Sequence, residues 1–525
     1  MGTSIIDATP RRRRGRSARR EERLAPLAND IRPVRGGLAG GWYRPFGDHD
    51  VGRIHQTVLQ VLEQFGLSGA TASCIELCEA AGAVHGSDGR LRFPRALVED
   101  TIAGAGRKFP LHARNPAHDM EPFGSNVYFG TAGAATQMVD VGTASYRNAT
   151  VRDLYQAAVL VDHLDNIHFF QRPVTPTDVE GMLQLDTNTL YACLAGTGKH
   201  IGTSFTNRAG AELGLELLHE VAGGERAWRE RPFVSNSNCF VVPPLTFAED
   251  ACGVLETCVR GGMPVLLLSA GQAGATAPAA LAGAVVQACS EVLAGLVYVN
   301  AICPGSPAIF GTWPFVSDLR TGSMSGGSGE QGLLSAACGQ MARFYDLTGG
   351  APAGMSDAKL PDYQAGYEKG ATAIMAGLAG LNLVYEAAGM HASLLGFCLE
   401  SLILDNDLLG QAMRGVRGIE VTEDSLSLEV IREVCCDGPG HYLGQPHTLR
   451  LMQREFVYPQ VGDRTSPKEW VELGKPDQVR RATETRNRIL ATDRPRLLDS
   501  DLDRRLRARC DIVIPDRAMG PAEIP

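Results

Sequence analysis

The chain has 525 residues, of which 44% are hydrophobic and 6% aromatic, and it contains 60 glycines. This length allows one very large domain or two to three ordinary ones, and the composition favours a soluble α/β protein with a large buried core. The net charge is −9, but residues 1–25 carry +5, so the remaining 500 residues carry −14. A body this acidic argues against general nucleic-acid binding.

Residues 1–25 are interpreted as a disordered, Arg-rich tail, because they lack the apolar core of a secretory signal. The most apolar segment, 275–303, contains Glu291 and is dense in Ala and Gly, so we interpret it as a buried helix and expect no membrane span. The thirteen cysteines include no CxxC and no zinc spacing. They indicate reduced core residues of a cytoplasmic protein without a metal site.

An N-terminal helical cap is predicted over residues 26–124. Residues 47–67 have apolar side chains at helical spacing, and two shorter helices are expected near 69–82 and 94–104. Between those two, the sequence around Asp88 predicts a small hairpin.

Eight strand–helix alternations are predicted over residues 125–417. The expected strands are 126–134, 167–174, 199–206, 231–244, 263–270, 306–314, one at the start of 344–370, and 381–390. The expected helices are 151–164, 178–196, 209–222, 247–261, 277–299, 329–345, 362–379 and 393–415. Eight such units predict an α/β fold of the TIM (β/α)8 barrel type. A doubly wound sheet is the alternative, but no GxGxxG follows the first strand. Residues 418–525 are expected to form a C-terminal helical extension.

The stretch 344–370, FYDLTGGAPAGMSDAKLPDYQAGYEKG, is predicted to run from a strand through a glycine-rich loop into a helix. Asp357 and Lys359 precede Pro361, which is at home in the first turn of a helix. A polar loop after a strand is where parallel α/β folds keep their chemistry.

The strand ends offer aromatic residues, amides and a few carboxylates as candidate substrate-binding residues. These candidates are Tyr128, Phe129, Gln171, Asn236, Asn238, Phe310, Trp313, Met355, Glu386 and His391. Aromatic faces attract quaternary ammonium groups, and Glu386 would add opposite charge. Each alternative stays open: Tyr128 and Phe310 as core residues, and Glu386 as the buried partner of a basic side chain. No catalytic nucleophile paired with a base is evident.

Five stretches of the sequence carry a family resemblance. They are HARNPAHDME (112–121), GQAGATAPAALAGAVVQACSEVLAG (271–295), PGSPAIFGTWPFVSDLRTGSMSGGSGEQGLLSAA (304–337), MSDAKLPDYQAGYEKG (355–370) and GPGHYLGQPHTLR (438–450). Together they make the chain similar to the trimethylamine methyltransferase (MttB) family, including its non-pyrrolysine members, from about residue 40 to 490. The resemblance implies a TIM barrel.

The resemblance also implies a reaction. Archaeal members pass a methyl group from trimethylamine to the Co(I) of a separate corrinoid protein, and use pyrrolysine where this chain has Met355. Methionine cannot form the amine adduct attributed to pyrrolysine, whereas non-pyrrolysine relatives demethylate betaines. The expected reaction is therefore methyl transfer from a quaternary amine to a corrinoid (cobalamin) held by a partner protein, with no cofactor permanently bound.

The nitrogen of a quaternary ammonium already carries a positive charge, so a neutral tertiary amine can leave without being protonated. The protein therefore needs only to position the substrate and exclude water. A betaine carboxylate needs a donor, and the candidates are His391, Gln171, Arg172, Asn236 and Asn238. Three alternatives stay open: trimethylamine as the donor, another acceptor such as a folate, and a non-catalytic amine-binding protein. The oligomeric state also stays open.

Overall fold

The structure is a computed structural model that describes residues 31–438 and 440–521. The predicted tail at 1–25 lies outside the described residues. By their contacts, the described residues form two units: 36–418 with 459–521, and 31–35 with 419–458. The domain boundaries predicted from the sequence stay predictions.

Eight parallel strands form the centre of the larger unit and confirm the predicted barrel. They are β1 (Asn126–Thr131), β2 (Phe169–Gln171), β3 (His200–Thr203), β4 (Val234–Asn238), β5 (Val265–Ser269), β6 (Ala308–Thr312), β7 (Gly350–Pro352) and β8 (Leu383–Tyr385). Each strand pairs with the next along the chain up to β6, and β8 pairs with both β1 and β7. A bridge between Phe310 and Gly349 joins β6 to the start of β7, with the Phe310 N–H 2.8 Å from the Thr348 carbonyl.

A helix follows each strand. The eight helices are α1 (Val151–Asp162), α2 (Met182–Gly196), α3 (Arg208–Ala222), α4 (Glu249–Arg260), α5 (Leu281–Ile302), α6 (Gly329–Phe344), α7 (Tyr363–Leu378) and α8 (Leu399–Arg417). Several begin at a polar residue whose side chain accepts a backbone N–H, as at Asn207, Ser328 and Asp362. Thr150 and Asp153 form a reciprocal capping box at α1, which satisfies N–H groups that a helix start leaves unpaired.

The helix α5 is apolar on every side because it is covered on every side. The N-terminal helices Asp48–Gln60, Ala72–Ala80 and Arg95–Gly104 pack on it, as do β5 and β6. Among the described residues it alone is long and apolar enough to cross a membrane, and 78% of its most apolar window is buried. An all-round apolar helix of this kind is typical of a protein core.

Smaller elements surround the barrel. The hairpin predicted around Asp88 is present as Val84–His85 paired with Leu91–Arg92. Short strands in the loops after the barrel strands are Gln137–Asp140, Ser145–Asn148, Val241–Val242, Thr246–Phe247, Gln272–Ala273, Phe315–Ser317, Met324–Ser325, Met390–His391 and Gly396–Phe397, and Leu38–Ala39 pairs with β1. Single helical turns lie at Val61–Phe65 and Pro116–His118, and the helix Glu225–Glu230 was not predicted.

The C-terminal extension is mostly helical, as predicted. Within the larger unit its helices are Pro467–Glu472, Gln478–Ala491, Ser500–Arg509 and Asp516–Met519. The helix Gln478–Ala491 packs on α8 and α1, and Ser500–Arg509 packs on α3, where Arg505 forms an ion pair with Glu220 at 2.7 Å. The smaller unit contains the helices Glu423–Leu426, Leu428–Cys435 and Pro446–Leu451.

Three aromatic rings fill the barrel interior beneath its carboxyl-terminal end. Phe169 lies 5.0 Å from Tyr385, and Tyr385 lies 5.3 Å from Trp313, measured between ring centroids. Gly350 makes room for this stack, because a Cβ there would lie 2.8 Å from the Tyr385 ring. The stack therefore occupies the barrel interior, and its ring from Trp313 also lines the cavity at the mouth.

Candidate functional site

A cavity of about 380 Å³ opens at the carboxyl-terminal ends of the strands. Residues that lie at the ends of β1 to β6 and of β8, or in the loops after them, line it, and β7 contributes none. This is the position where TIM barrels hold their active sites, and the volume suits a small molecule.

Glu386 is the most unusual side chain in the cavity. It directly follows β8, is 1% exposed, and has a left-handed backbone with φ of +59°. Such a conformation is uncommon for a residue other than glycine and is often found at functional sites. Its Oε2 has no hydrogen-bond partner among the described residues. Burial raises the pKa of this carboxyl to about 8, and a cation or a hydrogen-bond donor of a ligand would stabilise its ionised form.

Arg172 brings a positive charge to the same cavity. It follows β2, and its guanidinium donates to Ser204 Oγ twice, at 2.9 and 2.6 Å, and to Thr175 Oγ1 at 2.9 Å. It forms no ion pair with a carboxylate of the residues that the structure describes, although Asp186 acts on it at longer range. Burial lowers the pKa of this guanidinium. A partly buried arginine that no carboxylate pairs with among the described residues is a ready anchor for the carboxylate of a ligand.

Trp313 provides an aromatic surface in the same cavity as Glu386 and Arg172. The residue is 5% exposed and follows β6, and its Nε1 has no partner within the described part of the chain. Phe315 lies edge-on to it at 6.3 Å, and Phe205 lines the cavity after β3. An indole face next to a carboxylate favours a quaternary ammonium group.

Two predicted amides, Gln171 and Asn238, also line the cavity. Asn238 donates to the Ala251 carbonyl at 3.0 Å, and its Oδ1 has no partner among the described residues. Cys239 completes this wall, and burial raises the pKa of its thiol, with Glu386 adding to the rise and Arg172 opposing it.

The structure thus brings together four of the ten predicted residues, namely Gln171, Asn238, Trp313 and Glu386. Four others lie in or beside strands but away from the cavity. The Tyr128 hydroxyl accepts the Glu121 N–H at 3.1 Å, before β1 begins. Phe129 faces Gly377 of α7, and Phe310 packs on Tyr345 at 5.6 Å, just after α6. Asn236 is fully buried and does not line the cavity.

Met355 and His391 also lie outside the cavity. Met355 is fully buried against Gly326, where a Cβ would lie 2.5 Å from the methionine sulfur. His391 binds Ser401 Oγ through Nε2 at 2.7 Å. Burial and the charge of Lys369 hold the pKa of His391 well below its ordinary value, so it offers no charge to a substrate.

The loop after β7 holds the mouth together and does not line it. Asp357 accepts hydrogen bonds from Ser325 Oγ at 2.7 Å, from the Gly326 N–H at 2.7 Å and from Ser393 Oγ at 2.6 Å. It therefore joins the loops that follow β6, β7 and β8. The polar character of this loop, which suggested chemistry, serves this connection.

Sequence reasoning missed Phe205, Phe315 and Cys239. It named Arg172 only as a candidate hydrogen-bond donor to the carboxylate of a betaine. The three missed residues lie beyond the ends of the barrel strands, where strand alternation gives no signal. Alternation places only Gln171 on the inner face with Phe169, and a Cβ on Gly202 would lie 1.6 Å from the Gln171 side chain. No group of three or more His, Cys, Asp or Glu side chains in the described chain is arranged to hold a metal.

The arrangement suits a small dipolar molecule. A carboxyl group, an indole and a guanidinium line one cavity, and among the described residues no carboxylate pairs with the guanidinium. A ligand with one positive and one negative end could pair with both charged groups.

Comparison with known proteins identifies relatives of the whole chain. A family model described as trimethylamine methyltransferase (MTTB) matches residues 12–512. A glycine betaine methyltransferase of Desulfitobacterium hafniense strain Y51 is 32% identical over 471 residues, which cover 89% of this chain and 96% of that protein. The trimethylamine methyltransferase MttB of Desulfitobacterium hafniense strain DSM 10664 / DCB-2 is 31% identical, with 90% and 93% covered.

A solved structure, the monomethylamine methyltransferase of Methanosarcina barkeri, covers 73% of this chain and 82% of its own at 14% identity, with a TM-score of 0.42. The sequence relatives identify the family.

Proposed function

The chain belongs to the trimethylamine methyltransferase family, and we propose that it moves a methyl group from a betaine-like quaternary amine to the Co(I) of a separate corrinoid protein. The observation that carries the proposal is the presence of a carboxyl group and a guanidinium in one cavity. Among the described residues, Glu386 Oε2 has no hydrogen-bond partner and Arg172 forms no ion pair with a carboxylate. The glycine betaine methyltransferase among the relatives supports the same substrate class.

In this proposal the ammonium group lies against Trp313 and the ionised Glu386, and the carboxylate accepts hydrogen bonds from Arg172. The C–N bond to one methyl group breaks with its electron pair going to nitrogen, so the tertiary amine leaves without a proton donor. The corrinoid supplies the nucleophile that takes the methyl group. The residues of this chain orient the methyl toward the mouth and exclude water.

The rim of the cavity suits the arrival of the acceptor on another protein. Large apolar side chains in the loops around the mouth are exposed, among them Leu319 at 69% and Leu395 at 63%. Exposed apolar groups of this kind are typical of contact surfaces between proteins. We propose that the corrinoid protein docks here, in the cytoplasm, and that the chain holds no corrinoid of its own.

A binding screen tests the substrate class before any partner is known. Thermal unfolding of the purified protein is followed with glycine betaine, proline betaine, carnitine, choline and trimethylamine. A ligand at about 100 times its Kd adds about 2.7 kcal/mol of stability. We expect a betaine to raise the Tm more than choline or trimethylamine, which lack the carboxylate. A larger shift with trimethylamine than with any betaine would contradict the proposal.

A further inference from the structure

The segment between β8 and α8 leaves the mouth cavity and returns to it. Glu386 lines the cavity at the start of this segment, and Leu394 lines it again further along. Between them the chain enters a small hairpin, in which Met390–His391 pairs with Gly396–Phe397. Residues 392–395 form the turn of this hairpin, so the turn is the element that brings Leu394 to the cavity.

The turn has an unusual backbone. Ala392, Ser393 and Leu394 have φ values of +50°, +53° and +73°, in the left-handed region that a Cβ disfavours. Elsewhere in residues 31–438 and 440–521, residues other than glycine adopt this region only singly. Hairpin turns that need it usually place glycine or asparagine there, and this turn contains neither. The local sequence therefore does not favour the conformation that the turn adopts.

Contacts with the loop after β7 hold the turn in this conformation. The Ala392 N–H donates to the Ala358 carbonyl at 3.0 Å, and the Ser393 N–H donates to the Ser356 carbonyl at 3.2 Å. The Ser393 hydroxyl donates to Asp357 Oδ1 at 2.6 Å. Costly backbone conformations persist where the surrounding structure imposes them, and they cluster at active sites and ligand sites. The turn meets both conditions, because these hydrogen bonds hold it and it borders the cavity.

Leu394 differs from most of the cavity lining in size and polarity. Among the described residues that line the cavity, Leu394 and Leu268 of β5 are the two large aliphatic ones, and the others are aromatic, polar or small. Leu268 is fixed by the barrel, whereas the position of Leu394 depends on the turn. The next residue, Leu395, is 63% exposed and is not part of the lining. A ligand in the cavity would therefore meet Leu394 and not Leu395.

We propose that Leu394 contacts the substrate and limits its bulk, and that the left-handed turn holds the residue in that position. This inference rests on the proposed function, since it names a specificity-determining residue of the same cavity. An apolar wall distinguishes ligands that differ by one methylene group by about 10- to 200-fold. A shorter side chain at position 394 should therefore shift the preference of the protein toward a bulkier betaine.

Glycine betaine and carnitine are suitable probes, because carnitine has the same two charged ends joined by a longer chain. Calorimetric titration of the full-length protein gives the Kd for each. We expect Leu394→Ala to weaken binding of glycine betaine by about tenfold and to weaken binding of carnitine less. Leu394→Met, which conserves the volume of the side chain, should keep the ratio of the two Kd values near that of the wild type. Leu395→Ala makes the same change one residue further on, and this control should not alter the ratio.

The variant Ser393→Ala tests the turn itself. It removes the hydrogen bond to Asp357 and leaves the side chain at position 394 in place. The ratio of the two Kd values should move in the same direction as in Leu394→Ala, by a smaller factor. A merely structural role of Ser393 would lower the Tm and change both Kd values equally.

Two results would overturn the inference and leave the proposed function standing: a ratio that Leu394→Ala does not change, and a ratio that Leu395→Ala changes as much. If the wild-type protein binds neither betaine, the proposed function fails and the inference fails with it. Thermal unfolding checks that each variant folds, and Ser393→Ala carries the comparison if Leu394→Ala does not fold.

Discussion

Arg172 donates two hydrogen bonds to a single acceptor, the hydroxyl oxygen of Ser204, from Nε at 2.9 Å and from Nη2 at 2.6 Å. These contacts join the ends of β2 and β3 and fix the guanidinium plane at the cavity wall. Because the serine brings no charge, the positive charge of Arg172 remains available to a ligand.

Replacing this guanidinium should weaken binding of the substrate's carboxylate and leave binding of its ammonium group unchanged. We expect Arg172→Met to raise the Kd for glycine betaine by about 10- to 100-fold, since a hydrogen bond to a charged group contributes about 1.5–3 kcal/mol. The Kd for choline, which has no carboxylate, should change little. Calorimetric titration measures both, with Arg172→Lys as the variant that keeps the charge. An equal loss for both ligands would remove Arg172 from this role.

Binding of a betaine should depend on pH through Glu386. The pKa of this carboxyl is raised from 4.5 to about 8 by burial, so the group is mostly neutral at pH 6 and ionised at pH 9. Since the cation needs the ionised form, the Kd should fall by about tenfold per pH unit up to pH 8 and then level off. Arg172 and Cys239 are the other charged or titratable groups lining the cavity, and neither changes form over most of this range.

The variant Glu386→Gln should bind more weakly and show no such pH dependence. Stability gives a second readout. A carboxyl whose pKa is raised in the folded state favours folding below its unfolded value, and this contribution is lost as the pH rises from about 4.5 to 8. Thermal unfolding without ligand should therefore show a decline over that window in the wild type that Glu386→Gln lacks. Parallel pH curves for both proteins would contradict the assignment.

The exposed leucines at the rim should affect the rate of methyl transfer only when the corrinoid is bound to its partner protein. We expect Leu319→Glu and Leu395→Glu to slow methyl transfer to the corrinoid protein and to leave transfer to free cob(I)alamin unchanged, because both side chains are exposed and only Leu395 neighbours a cavity residue. Val84→Glu, at an exposed position of the N-terminal hairpin, is the control. Equal rates with the partner for all three variants would place the docking surface elsewhere.

Asp357 should keep the loops after β6 and β8 ordered at the mouth of the barrel. Asp357→Ala removes the acceptor of three hydrogen bonds from the loops after β6 and β8, and we expect a loss of about 2–4 kcal/mol in the free energy of unfolding. Urea unfolding measures this loss. Limited proteolysis should then cleave near Ser325 or Ser393 sooner than in the wild type. Unchanged stability and an unchanged cleavage pattern would show that the loops are held by other contacts.

The eight-strand barrel could be predicted because its signals are local. Most strands contain a short apolar run and each is followed by a helix, and polar residues such as Thr150 and Ser328 begin helices as caps. The helix α5 was predicted to be a buried helix, since Glu291 interrupts its apolar run, and 78% of its most apolar window is buried.

The site was harder to predict, because the position of a residue at a strand end does not show whether its side chain faces the cavity or the helices. Phe129 and Phe310 face the helices, whereas Gln171 and Trp313 face the cavity. A shift of one residue along a strand exchanges these faces. Glu386, directly after β8, has a left-handed backbone conformation. Because the residue is not a glycine, the sequence carries no signal for this conformation. The role of Asp357 depends on loops that meet only in the folded chain.

The most direct test of the account is the product of the reaction. The protein is incubated with glycine betaine and cob(I)alamin, and both N,N-dimethylglycine and methylcob(III)alamin are quantified. We predict that the two products form in equal amounts and that Arg172→Met and Glu386→Gln slow their formation. Tight binding of glycine betaine without either product, with free cob(I)alamin and with the corrinoid protein alike, would contradict the account and leave the chain as an amine-binding protein.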